Sequence, residues 1–407
     1  GIGTMGEAAF RFIDLLTDLK QKYWQVLPIG PTSYGDSPYQ PLSSCAGNIY
    51  FIDLDKLVAD GLLSTDEIRC FNWGSDDTEI DYAVLFTNRK KILQKAFERF
   101  DINAQEFCDF KKENASWLGD YSLFMALKND NLNKNWTEWP QEFKTRQPVA
   151  LANYQKTHYN EISFWEFCQY EFFKQWAEMK QYADSRGIQI IGDVSFFVGL
   201  DSADVWAEPS QFLIDANGKP SVVAAAVPDK FSEAGQIWGN PMYDWKQMET
   251  DGFEWWRQRI RIRKKQFDII RIDHFIGMVK DYTVLSEAES ALSGKWVKGP
   301  GKKLADALKT ELGDTRIIAD DYTGAALLPG VKKLLSKTGW MGTKVLMFAF
   351  DGNTANEHLP HNYVNSQVAV YCGTHDNETI VGTFRDKTEY ELAYLYQYLN
   401  ISCKEEI

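Results

Sequence analysis

Positive charge, histidine and paired cysteine are all scarce in this chain. Its 407 residues include five histidines and six cysteines, and the formal net charge is -13. The shortage of basic surface argues against nucleic acid and anionic membranes as partners, since both are engaged through lysine and arginine. Cys45, Cys70, Cys108, Cys168, Cys372 and Cys403 are scattered, with no CxxC pair and no metal-ligand spacing. Free thiols in a reducing, cytoplasmic compartment are the expectation. The histidines lack HExxH spacing, so no metal is expected. No apolar run reaches the ~18 residues of a membrane-spanning helix. The opening GIGTMGEAAF has neither the basic start nor the apolar core of a secretory signal. Gly1, Gly3 and Gly6 spell GxGxxG, but no strand precedes them and no ribose-binding acid is placed after them, so a nucleotide cofactor is not expected either.

Apolar and aromatic residues, by contrast, are plentiful. With 44% hydrophobic residues the chain can build a substantial core. Aromatics reach 14%, including 14 Trp. Exposed Trp and Tyr stack on sugar rings, although most single tryptophans are better read as core. Short β-branched runs alternate with long amphipathic stretches. The runs are YWQVLPI (23–29), IQIIGDVSFFV (188–198), FDIIRIDHF (267–275), TRIIADDY (315–322), KVLMFAF (344–350) and QVAVYCGTHD (367–376). Such runs, separated by helical segments at 5–20, 161–186, 254–265 and 301–312, predict parallel strands buried on both faces. From 51 to 165 strand signals fade and helical, Trp- and Asn-rich segments dominate, which predicts a helical insertion subdomain between barrel parts 1–50 and 166–407. Within it, NWTEWP (135–140) reads as packed core in preference to a surface sugar platform. No internal repeat is found.

Four apolar runs stop at an acid: Asp193, Asp273, the pair Asp320 and Asp321, and Asp376. A single Asp after a strand is usually a helix N-cap. Four of them, on strands whose C-termini share one barrel mouth, instead point to a common pocket. Glycoside cleavage uses several carboxylates and no metal: one stabilises or attacks the anomeric carbon, and another, protonated, serves the leaving oxygen. Arg271 lies two residues before Asp273, so both point the same way and the cation is expected to hold Asp273 ionised.

The segments GIGTMGEAAFRFIDLL, YWQVLPIGPTSYGDSPYQPLSSCAGN, WLGDYSLFMALK, GDVSFFVGLDSADVW, FSEAGQIWGNPMYDW, RIDHFIG, WVKGPG, KVLMFAF and CGTHDNET resemble the 4-alpha-glucanotransferases of glycoside hydrolase family 77, over almost the whole chain. The resemblance implies an α/β fold, a (β/α)8 TIM-type barrel. It implies a retaining transfer of α-1,4-glucan between maltooligosaccharides, through a covalent glucosyl-Asp. Asp273 would be the nucleophile, Asp320 the general acid/base and Asp376 the third acid. Ser37, Tyr39, Asp193, Asp229, Gln236, Trp238, Asn240, Arg271, His274 and His375 would bind substrate or support the acids. The implied partners are α-1,4-glucans; oligomeric state is not legible.

The chain departs from the family pattern in places. The family has Ala-Glu-Asp-Leu-Gly where this chain has Ala319-Asp320-Asp321-Tyr322-Thr323, so Asp320 stands one methylene short. Ser195 replaces a usual Pro, and VAAAVP at 223–228 replaces a Gly- and Pro-containing loop. The family also has a strand ahead of GIG, and a strand and an Asn/Trp-rich segment beyond residue 407, so the chain reads as truncated at both ends. Amylase-like hydrolysis and a catalytically impaired glucan-binding homologue stay open as alternatives.

Overall fold

In a computed structural model, residues 2–406 are described except 34, 77, 229–231, 321–327 and 386. Ten strands occur among them: β1 (Tyr23–Val26), β2 (Gln189–Val194), β3 (Val222–Ala226), β4 (Gln236–Pro241), β5 (Ile269–Ile272), β6 (Lys280–Leu285), β7 (Lys295–Lys298), β8 (Arg316–Ala319), β9 (Gly342–Val345) and β10 (Val368–Tyr371). β1, β2, β5 and β8 pair in parallel in that order, as do β9 and β10. Met341 joins the two groups: its N–H donates to Ile317 O at 3.0 Å, and its carbonyl accepts from Ala319 N at 2.8 Å. Four of the five returns to this six-stranded layer pass through α-helices, the repeat of a (β/α)8 barrel, whereas β9 reaches β10 through the 3-10 turns Leu346–Phe348 and Pro360–Asn362. At the two ends of the layer, Tyr371 Oη donates to Gln25 Oε1 at 2.7 Å, so β10 curls round to face β1.

Side-chain parity explains why these runs become barrel strands. Ile190, Ile270, Ile272 and Ile317 enter the main core, whereas Ile191, Ile269 and Ile318 form a separate small cluster with Met341 and Ala369. The second set is the inner row of the barrel. Counting two residues onward along each strand puts Asp193, Arg271 with Asp273, and Asp320 in that same row. Apolar side chains therefore fill the barrel floor, and the strand ends deliver charge to its mouth.

The strand expected over 344–350 is shorter than its apolar run. It ends at Val345, and Leu346–Phe348 form a 3-10 turn that lets Met347 N donate to Cys372 O at 3.1 Å. A four-stranded antiparallel sheet, β4-β3-β6-β7, stands beside the barrel and was not legible in the sequence. Residues 51–165 contain helices and no strand among the described residues. Trp136 and Trp139 of NWTEWP are both buried, with their indole N–H groups donating to Leu200 O and Lys134 O.

The helix Tyr159–Ser185 anchors the loop that follows β1. Gln169 accepts from Gly47 N at 2.7 Å and donates to Gly47 O at 3.0 Å. Gln175 makes the same pair of bonds to Asp53. A Cβ on Gly47 would lie 2.1 Å from the Phe172 ring, so only glycine admits this approach. On the same helix Glu171 is buried, and neither of its oxygens has a hydrogen bond among the described residues. Burial pushes its carboxyl up to about 7, with Lys174, 3.9 Å away, pulling the other way. Below the ordinary value of 4.5 the group is neutral in both folded and unfolded chains and costs nothing. As pH rises through about 7 the unfolded chain is favoured by up to roughly 3 kcal/mol, at 1.36 kcal/mol per unit. Glu171→Gln should accordingly raise the melting temperature at pH 8, with the gain shrinking toward zero as pH falls below about 4. A gain independent of pH would show that ionisation of Glu171 is not its origin.

Candidate active site

Arg271 is the centre of the barrel mouth. Its buried guanidinium donates from Nη1 to Asp193 Oδ2 at 2.6 Å and to Asp273 Oδ1 at 3.3 Å, while Nη2 lies 2.8 Å from Asp320 Oδ2. The register produces this arrangement, since Asp193 and Arg271 are direct partners across β2 and β5. The backbone then turns sharply. His274 is left-handed, at φ 46°, and opens the 3-10 turn Phe275–Met278. Its N–H points to Asp320 Oδ2 at 3.4 Å, and Phe275 N donates to Asp320 O at 3.1 Å. The end of β8 is thereby tied to the end of β5.

Three carboxylates around one guanidinium leave two surplus negative charges if all are ionised. The sequence reading gave Arg271 to Asp273 alone, and the structure corrects this. Burial, then Asp193 and Asp320, push the Asp273 carboxyl well above the usual range despite Arg271. Burial also raises Asp320, with Arg271 opposing. Arg271 itself is held charged: burial disfavours its cation, but Asp193, Asp320 and Asp273 together outweigh burial. Repulsion between Asp273 and Asp320 makes their titration a property of the two together and not of either alone.

A second chain of contacts brings in β10 and the loop after β1. Tyr39 Oη donates to Asp193 Oδ2 at 2.8 Å and therefore accepts from His375 Nε2, 2.9 Å away. The two rings stack at 5.6 Å and 14°. Burial and Asp193 push the Tyr39 phenol far up, which keeps it a donor. His375 Nε2 also lies 3.3 Å from Asp376 Oδ1. Exposure grades outward along this path, from the Asp193 side chain at 0%, through His375 at 31%, to Asp376 at 57%.

One wall is aromatic and comes from β4. Trp238 meets the His274 ring edge-on at 4.8 Å, and its indole N–H donates to Gln236 Oε1 at 3.1 Å. Asn240 is buried and donates to Val198 O and to Gln40 Oε1, while Gln40 returns bonds to Asn240 Oδ1 and Trp238 O. Asn240 thus joins the β4 wall to the loop after β1. Ser37 Oγ accepts from Tyr39 N at 3.3 Å and shapes the turn that carries Tyr39. Asp229 and Asp321 lie outside the described residues. Gln40, although inside the SPYQ segment, was not singled out from the sequence, and only its pairing with Asn240 reveals its role. No group of three or more His, Cys, Asp and Glu suited to a metal occurs among the described residues.

A family model described as 4-alpha-glucanotransferase matches residues 1–407. The 4-alpha-glucanotransferase of Clostridium butyricum is 43% identical over 401 residues, covering 97% of this chain and 82% of that protein. The 4-alpha-glucanotransferase of Streptococcus pneumoniae is 42% identical over 404 residues, covering 98% of this chain and 79% of its own length. Among solved structures, the amylomaltase from Streptococcus agalactiae in complex with acarbose superimposes with a TM-score of 0.93 at 38% identity, over 99% of this chain and 82% of that one.

Proposed function

The chain belongs to the 4-alpha-glucanotransferases of glycoside hydrolase family 77, and from that premise we propose that it moves α-1,4-glucan segments between maltooligosaccharides by a retaining double displacement at the Arg271 cluster. The observation that carries the mechanism is the sharing of one guanidinium by carboxylates from three strands. Asp273 Oδ1 is held by Arg271, leaving Oδ2 to attack the anomeric carbon. As that bond forms, the bond to the leaving 4-oxygen breaks, and the proton on Asp320 passes to this oxygen. Arg271 and His274 N occupy Asp320 Oδ2, whereas Oδ1 has no hydrogen-bond partner among the described residues, so Oδ1 is the atom suited to carry the proton. In the second half the 4-hydroxyl of an acceptor glucan attacks the same carbon, returns a proton to Asp320 and frees Asp273.

The remaining groups read as binding machinery. Asp376, at the open mouth, is suited to accept from sugar hydroxyls, and Trp238 offers a ring face for stacking. The general acid is a carboxylate one methylene shorter than the family's glutamate and is drawn toward Arg271, which favours slow transfer. Incubation with maltotriose tests the reaction class. Transfer yields a ladder of longer maltooligosaccharides with glucose and maltose. Glucose and maltose alone would mean hydrolysis, and binding without products would mean an impaired homologue.

A further inference from the structure

Asp281, the second residue of β6, is fully buried, yet neither of its oxygens has a hydrogen bond among the described residues. Leaving a carboxylate in such surroundings is costly unless it serves a partner. The basic group it meets is His274, whose Nε2 lies 3.5 Å from Asp281 Oδ1. That nitrogen is itself buried and has no hydrogen bond among the described residues. The backbone packs closely against the carboxylate: a Cβ on Gly277 would stand 2.6 Å from Asp281 Oδ1 and 2.4 Å from the Phe196 ring. Trp238 at 4.8 Å, Phe197 at 5.8 Å and Phe196 at 6.2 Å close round the imidazole and contribute no hydrogen-bond acceptor to it. The other ionisable groups near the pair are Asp320, next to the His274 backbone, and the buried Tyr243, whose hydroxyl is committed to Phe196 O with Arg259 beside it.

We propose that Asp281 is a positioning residue for glucan transfer, accepting from His274 Nε2–H and thereby fixing the tautomer and tilt with which the imidazole presents its other edge to the sugar. Which nitrogen of a histidine carries the proton is set by the bond the other side of the ring makes. A contact that is long in the free protein tightens when a substrate closes over it. Burial raises the Asp281 carboxyl and His274 draws it back down, as the pairing requires. His274 follows Asp273 directly in the chain, so a tilt of its ring displaces a group beside the reacting carbon. The inference rests on the reading of His274 as a substrate contact.

The test combines one readout that needs no activity with a double-mutant cycle. In ¹⁵N-histidine spectra of the whole protein, His274 should be protonated at Nε2 and should lose that preference in Asp281→Ala. Asp281→Asn, which keeps an acceptor oxygen, should retain it. Asp281→Ala should lower kcat/KM on maltotriose by about 10- to 100-fold, Asp281→Asn by less than about threefold. In a His274→Ala background the further loss from Asp281→Ala should vanish, since Asp281 acts only through that ring. Full additivity of the two substitutions, or an unchanged His274 tautomer in Asp281→Ala, would overturn the proposal. A failure of the wild-type chain to transfer glucan would leave the tautomer result standing and would count against the functional reading instead.

Discussion

Asp273→Asn should abolish glucan transfer while leaving glucan binding in place. The amide nitrogen cannot form the glycosyl ester, and the neutral side chain no longer opposes positive charge at the anomeric carbon. Losing a nucleophile lowers kcat by about 10⁴-fold or more. Maltooligosaccharide affinity, measured by calorimetry, should change by less than about tenfold, because Tyr39, Trp238 and Asp376 are untouched. A second consequence follows from the crowding around Arg271. The folded-state pKa of Asp273 is raised above its unfolded value by burial, Asp193 and Asp320. Its carboxyl therefore costs nothing at pH 3 and disfavours the fold as pH rises through the folded value. The Asn variant should be more stable than the wild type at pH 7 and no more stable at pH 3. Retained turnover would exclude Asp273 as nucleophile, and a loss of stability at pH 7 would contradict the account of the cluster.

Asp320→Ala should separate substrates by their leaving groups. Maltotriose needs a proton on its departing oxygen, so its turnover should fall by about 10²- to 10⁴-fold. Maltotriosyl fluoride departs as fluoride without that proton, and its first step should slow by less than about tenfold. Asp320→Glu should move in the opposite direction and gain chiefly on maltotriose, since the longer arm restores reach while Arg271 and His274 N remain available to hold one oxygen. Equal losses on both substrates in the Ala variant would remove Asp320 from the acid's role and leave Asp321 as the candidate.

The central part of the site was legible because strand parity is a local property. Once the runs ending at Asp193, Asp273 and Asp320 are read as parallel strands, their C-termini share one mouth and alternation puts Arg271 on the same side as Asp273, where the structure has them. Charge sharing was not legible. It depends on the register that sets Asp193 opposite Arg271 and on the turn that brings His274 N to Asp320. The antiparallel sheet escaped notice because VVAAA and QIWGNP lack alternation, and its strands draw their stability from one another. The overlong strand at 344–350 shows the converse: an apolar run records burial, and Leu346–Phe348 are apolar while forming a turn. Asp281 gives no sequence signal, since its pairing with His274 spans seven residues and a turn that no motif specifies.

The most direct measurement of the central claim is the location of the glycosyl group in a trapped intermediate. In Asp320→Ala the first step on maltotriosyl fluoride proceeds, but no base remains to activate the acceptor for the second, so the ester should accumulate. Acid quench, digestion and tandem mass spectrometry would then find one maltotriosyl unit on the peptide that contains Asp273. A label on Asp193 or Asp376, or an unlabelled protein that releases product of inverted configuration, would contradict the account.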